Sequence, residues 1–164
     1  MPTATASPNA FTSFISAIVD TLAPDDDLET LPLKEFVRSA WSVIEPEAEF
    51  VDNFHIDLIC EYLEAIPSGE ATPVSDDPIM RALFNVPPRH MKSILISVMW
   101  PCWVWTFKPE SRWMFISYSY ELATNHSVDR RTLIESPWYQ SRWGTRVQIK
   151  FGENLKTQFT NTAR

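Results

Sequence analysis

The sequence predicts an α/β fold preceded by a helical subdomain, and three observations predict it. In the first half, apolar residues recur at the three-and-four spacing of a helix face. In the second half, short apolar runs alternate with helical stretches, the order expected of a sheet with helices packed on it. Between the two the charge reverses. Residues 1–80 carry sixteen acidic and two basic side chains, a net of −14, whereas residues 81–164 carry five and twelve, a net of +7.

Composition narrows the class. The 164 residues are 45% hydrophobic and 13% aromatic, enough for one folded domain, and thirteen prolines against three glycines argue against a Gly-rich repeat or linker protein. No run approaches the roughly 18 apolar residues that span a bilayer. The opening MPTATASPNA lacks the basic-then-apolar layout of a secretory signal. Cys60 and Cys102 are too few and too far apart for a disulfide framework, so they are expected to be reduced thiols. A cytoplasmic protein with no membrane contact is the expectation.

Element by element, residues 1–10 read as a flexible tail, and 11–77 as the helical subdomain. The apolar positions 11, 14, 15, 18, 19 and 22 form one helical stripe, ended by Pro24 and Asp25–Asp27. Leu33 to Ile44 repeats the pattern, with Pro32 suited to a first-turn position. A third helix runs from about His55 to Ile66, before a loop built on Pro67, Gly69 and Pro73. In 78–164, Ile79–Val86 reads as a buried strand ended by two prolines, Ser93 to Trp105 as a buried helix, and Arg112–Tyr118 as a second buried strand. Leu122 to Ile134 is an amphipathic helix, and 147–151 with 155–160 is a hairpin turning at Gly152, Glu153 and Asn154.

The segment with a mechanism attached is FNVPPRHMKSILIS, Phe84 to Ser97: an apolar strand, a tight turn, Lys92-Ser93, and a helix opening at the serine. Main-chain N–H groups at a helix start bind phosphate, a lysine reaches the terminal phosphates, and a serine hydroxyl suits magnesium. Aligned on Lys92-Ser93, the usual G-x-x-x-x-G-K-[ST] pattern needs glycines where Val86 and Met91 stand. Pro87 and Pro88 have no N–H to offer, so the donors would come from Arg89, His90, Met91, Lys92 and Ser93. The prolines would fix the turn by stiffness, and Arg89 would add a bidentate guanidinium. Lys-Ser before a helix also arises by chance.

Four blocks, in order, resemble the amino-terminal part of phage terminase large subunits, the ATP-driven motors that package viral DNA. They are FHIDLICEYLEAI, VPPRHMKS, MFISYSYELATNHSVDRRTLIESPWYQ and KTQFTNTAR, and the similarity runs from about Leu33 to Arg164. The resemblance implies a P-loop NTPase-like sheet, with 78–164 a partial ATPase core, and ATP and Mg2+ as cofactors. It implies that Lys92 contacts the terminal phosphates, that Ser93 takes the metal, and that Arg89 is the catalytic loop arginine. Pro88, His90 and Met91 would complete the phosphate loop, with Phe54 and His55 against the base. The implied partners are double-stranded DNA, a small terminase subunit and a portal protein, with a homo-oligomeric ring in the host cytoplasm. It further implies an acidic strand, a coupling motif and a nuclease domain, none of which follows in this sequence. The sheet is therefore expected to be incomplete at the carboxy end, the chain a fragment, and its own hydrolysis slow.

Other readings stand beside this one. The chain could be a non-catalytic helical module docking another packaging protein, or a small-molecule kinase or sulfotransferase sharing the loop. Asp25–Asp27 and Asp76-Asp77 lack a regular ligand spacing and are expected to be solvated. His55, His90 and His126 have no i, i+4 partner for zinc, and no G-x-S-x-G elbow supports a catalytic triad. Trp100, Trp103, Trp105, Phe107 and Trp113 are expected in the core. Arg130, Arg131, Arg142 and Arg146 suit either DNA phosphates or the acidic half.

Overall fold

A computed structural model of the chain describes residues 31–69, 77–154 and 158–163. The expected tail, the helix over 11–22 and the Asp25–Asp27 triplet lie outside these residues, as does much of the loop after Gly69. Helix α1 (Leu33–Ile44) and helix α2 (Phe54–Ser68) form where the apolar stripes fall. Helix α3 is a continuous rod of Lys92–Ile94, a π-helical stretch Leu95–Met99, and Trp100–Trp105. Helix α4 (Tyr120–Glu135) and the short α5 (Pro137–Trp143) follow, then strands β1 (Ile149–Asn154) and β2 (Phe159–Asn161).

The core is helical. Leu33, Phe36, Val37 and Ala40 of α1 meet Ile56, Ile59, Cys60 and Leu63 of α2, and Leu95, Met99, Cys102 and Val104 of α3. Leu133 and Ile134 of α4, with Tyr139 and Trp143 of α5, complete it. Phe36 sits among Trp138, Tyr139 and Trp143 at ring separations of 5.3, 6.3 and 5.5 Å. The tryptophans of α3 pack in this core as expected, and their indole N–H groups tie down loops. Trp103 Nε1 donates to Leu31 O at 2.7 Å and Trp105 Nε1 to Ser111 O at 3.0 Å. At the open start of α1, the Glu64 carboxylate accepts from the Leu33 N–H, satisfying one orphan donor. Lys34 bridges Asp52 and Asp57, and Arg38 meets Asp52 at 2.7 Å, tying α1 to the start of α2.

Two helices carry prolines in their interior, and each broken turn is repaired from outside. Pro67 cannot donate to Leu63 O, which instead accepts from Trp100 Nε1 at 3.0 Å. Pro101 cannot donate to Ser97 O, which accepts from the Arg130 guanidinium. The π-helical turn falls immediately before Pro101, where the regular ladder has to give way.

The sheet departs from expectation. Among the described residues the β structure is one two-stranded antiparallel sheet, β1 with β2. The hairpin pairing is present, but Gly152, Glu153 and Asn154, expected as its turn, belong to β1, with Asn154 opposite Phe159. The segments 79–86 and 112–118, expected as buried strands, carry no regular secondary structure, join no ladder and are not buried. Met80 is 87% and Leu83 89% exposed, because neither segment has a described neighbour to pair with. Apolar composition demands burial but does not supply the partner. The helix α5 was not expected at all. Among the described residues, no helix is long and apolar enough to cross a membrane.

Candidate functional site

Pro87 and Pro88 end the extended approach and fix two φ angles, so the chain must reverse over the next three residues. It does so with Arg89 at φ 65° and Met91 at φ 59°, both in the left-handed region that side chains with a Cβ avoid. Such strain persists where surrounding structure enforces it and concentrates at binding sites. Left-handed residues interleaved in a turn also gather successive N–H groups into an anion-sized concavity. His90 braces the turn, its Nδ1 2.8 Å from Pro88 O. Met91 is the N-terminal boundary of α3, and its carbonyl accepts from Leu95 N at 2.9 Å. The N–H groups of Lys92, Ser93 and Ile94 are then the free donors of the first turn. Lys92 is half-buried and Ser93 exposed, at the positive end of a 14-residue rod formed by segments of 3, 5 and 6 residues.

A cavity of about 680 Å3 abuts this loop. Phe54, His55 and Leu58 of α2 form one wall, Leu83 and Phe84 another, and Pro87 and His90 of the loop close it. The His55 and His90 rings meet edge to face at 5.5 Å, with Phe54 against His55 at 6.0 Å. Phe54 is 77% exposed at the rim, and His55 Nε2 is a buried polar atom without a partner. The base-side pair and the loop, 32 residues apart between Phe54 and Val86, are thereby brought to one place. Arg89, Lys92 and Ser93 do not line the cavity itself; they stand on the stretch that continues from His90.

Sequence reasoning missed Asn53, Tyr62, Arg81 and Asn85, which supply polar atoms to the same cavity. Tyr62 had a signal: Phe54, Leu58 and Tyr62 are four apart and share one face of α2. The remaining chemistry-bearing groups fall elsewhere. Burial pushes the thiols of Cys60 and Cys102 up to about 12, which keeps both protonated and unreactive near neutrality. His126 lies on α4 and does not line this cavity. Among the described residues no group of three or more His, Cys, Asp and Glu side chains is placed to hold a metal.

The chain matches no protein-family profile, no curated protein and no solved structure.

Proposed function

We propose that this chain is the ATP-binding part of a DNA-packaging motor of the terminase large-subunit type. The observation that carries the reading is the strained turn at Arg89–Met91, which opens directly into α3 beside a nucleoside-sized cavity. Residues held in strained backbone cluster at binding sites, and this loop holds two side-chain-bearing residues in the left-handed region. The base would lie against Phe54 and His55, and the phosphates would run past His90 onto the N–H groups of the turn. Lys92 would neutralise the terminal phosphates and Arg89 would clamp a phosphate oxygen. Ser93, exposed in the first turn, fits Mg2+ as a hydroxyl ligand; the ion would supply charge neutralisation of the triphosphate.

Double-stranded DNA, a small terminase subunit, a portal protein and further copies of the motor are the partners that go with this reading. The resemblance of the four sequence blocks to that family supports it, and so does the basic balance of residues 81–164. Calorimetry with Mg-ATP tests it. The chain is expected to bind, and Lys92→Ala to lose affinity about ten- to a hundredfold, the worth of a charged hydrogen bond. No heat with the parent chain overturns the proposal.

A second reading, a helical docking module without nucleotide, draws on exposed Val51, Phe54 and Leu58 around the start of α2. Silence with Mg-ATP favours it. DNA-stimulated hydrolysis separates a packaging motor from a small-molecule kinase or sulfotransferase built on the same loop.

A further inference from the structure

A second cavity, about 630 Å3, opens between the extended segment that follows α3, helix α4 and strand β2. Three features of its walls converge. The segment 111–118 alternates strictly: Trp113 and Phe115 are half-buried, whereas Met114, Ile116 and Tyr118 are 85, 88 and 99% exposed. That is strand geometry, yet residues 112–118 make no backbone–backbone hydrogen bond among the described residues. Across the cavity stands β2, paired with β1 in a sheet of two strands among the described residues. The space is a slot with strand-like backbone on both sides.

The third feature is its polar content. Arg130 is 8% exposed, its guanidinium carbon 3.9 Å from the Phe115 ring centre and one nitrogen spent on Ser97 O. Asp129, its neighbour on α4, is the carboxylate that acts on Arg130, and the two form no ion pair. Asn161, 1% exposed, donates from Nδ2 to Pro109 O at 2.6 Å, while its Oδ1 is buried without a donor. A buried cation that no carboxylate meets in an ion pair and a buried acceptor without a donor are each costly, and both line this one slot.

We infer that the slot is a β-augmentation site for an extended segment of another polypeptide, apolar at alternate positions and carrying one carboxylate. Its main chain would ladder onto 112–118, its carboxylate would meet Arg130, and a main-chain N–H would reach Asn161 Oδ1. Strand addition satisfies edge N–H and C=O groups in series, and alternate side chains give the specificity. Charge favours an acidic occupant, since residues 81–164 carry a net +7. A small organic anion would answer Arg130 but leave the unpaired backbone as it is.

Fluorescence anisotropy with three labelled probes tests this on the full chain. The first is a blocked nine-residue peptide of alternating threonine and valine with a central glutamate. The second carries glutamine at that place, and the third is the first N-methylated at alternate residues. The glutamate probe is expected to bind, the glutamine probe about tenfold more weakly, and the N-methylated probe not at all. In Arg130→Gln the gap between the first two probes closes; should that variant not fold, the three probes on the parent chain still decide. Equal binding of glutamate and glutamine probes overturns the inference, as do undiminished binding of the N-methylated probe and no binding at millimolar concentration. Sedimentation showing a dimer that cross-links through Ser117→Cys assigns the slot to a second copy and overturns it too.

Discussion

Met91 stands where a glycine would be most at home, and its φ of 59° shows why. An L side chain in the left-handed region costs about 1–2 kcal/mol, and glycine escapes that cost while adding about 0.5–1 kcal/mol of unfolded-state entropy. Met91 also touches the core edge, so glycine forfeits some packing. These contributions nearly cancel. Met91→Gly is therefore expected to stay within about 1 kcal/mol of the parent in urea unfolding, whereas Met91→Val should lose about 1–2 kcal/mol, because a β-branched residue tolerates positive φ worst. If valine is as well tolerated as glycine, the turn is not held in that conformation. The same residue explains why a pattern search fails here although the bend forms: the search looks for the cheapest residue, and this chain uses a dearer one held by its neighbours. Arg89, at φ 65°, repeats the point with a side chain that glycine could not replace.

At the scale of the elements, helices were legible among the described residues where a stripe and a stop coincided in the sequence. Helix α1 covers the expected span, and α4 exceeds it by two residues at the start, where Ser119 caps Leu122 N at 3.3 Å. Helix α5 went unread although Ser136-Pro137 is a cap followed by a first-turn proline, and Ser136 does accept from Tyr139 N at 3.2 Å. Its seven residues are too short for periodicity to register, so the cap was the signal to weigh. The segments 79–86 and 112–118 were misread as buried strands, since an apolar run records one segment's faces and says nothing about a neighbour to pair with. The meeting of Phe54 and His55 with the loop came from the resemblance; spacing alone left them 30-odd residues away. What no local pattern gives is the repair of a proline by a distant side chain, and that repair is testable. Trp100→Phe removes the indole donor from the buried Leu63 carbonyl and should cost about 1–3 kcal/mol. Pro67→Ala returns a main-chain donor to the same carbonyl. In a double-mutant cycle, Trp100→Phe should therefore cost at least about 1 kcal/mol less in the Pro67→Ala background. Additive losses would mean that Trp100 acts through packing alone.

For the whole molecule, the packing of α4 against α3 makes stability depend on pH. Burial holds the His126 imidazole below its ordinary value, with Arg130 adding to the effect and Asp129 opposing it. A depressed histidine is neutral in the folded chain where the unfolded chain already takes a proton. Above the ordinary value of 6.5 both states are neutral and the contribution to stability is complete. As pH falls through 6.5 the unfolded state gains protons that the folded state refuses, so stability drops until the folded imidazole also titrates. Burial shifts neighbouring Asp129 upward, and its window opens just above 3.8 with the opposite slope: there stability declines as pH rises. The two windows begin at opposite ends, so the histidine governs the approach from neutrality. The urea midpoint is expected to fall between pH 7.5 and 5.5, and His126→Gln, which keeps a polar side chain but cannot titrate, should flatten that fall. A midpoint that stays level in the parent chain would place His126 in water rather than against the helix pair. A parent that falls alongside an equally falling variant would move the dependence to other groups.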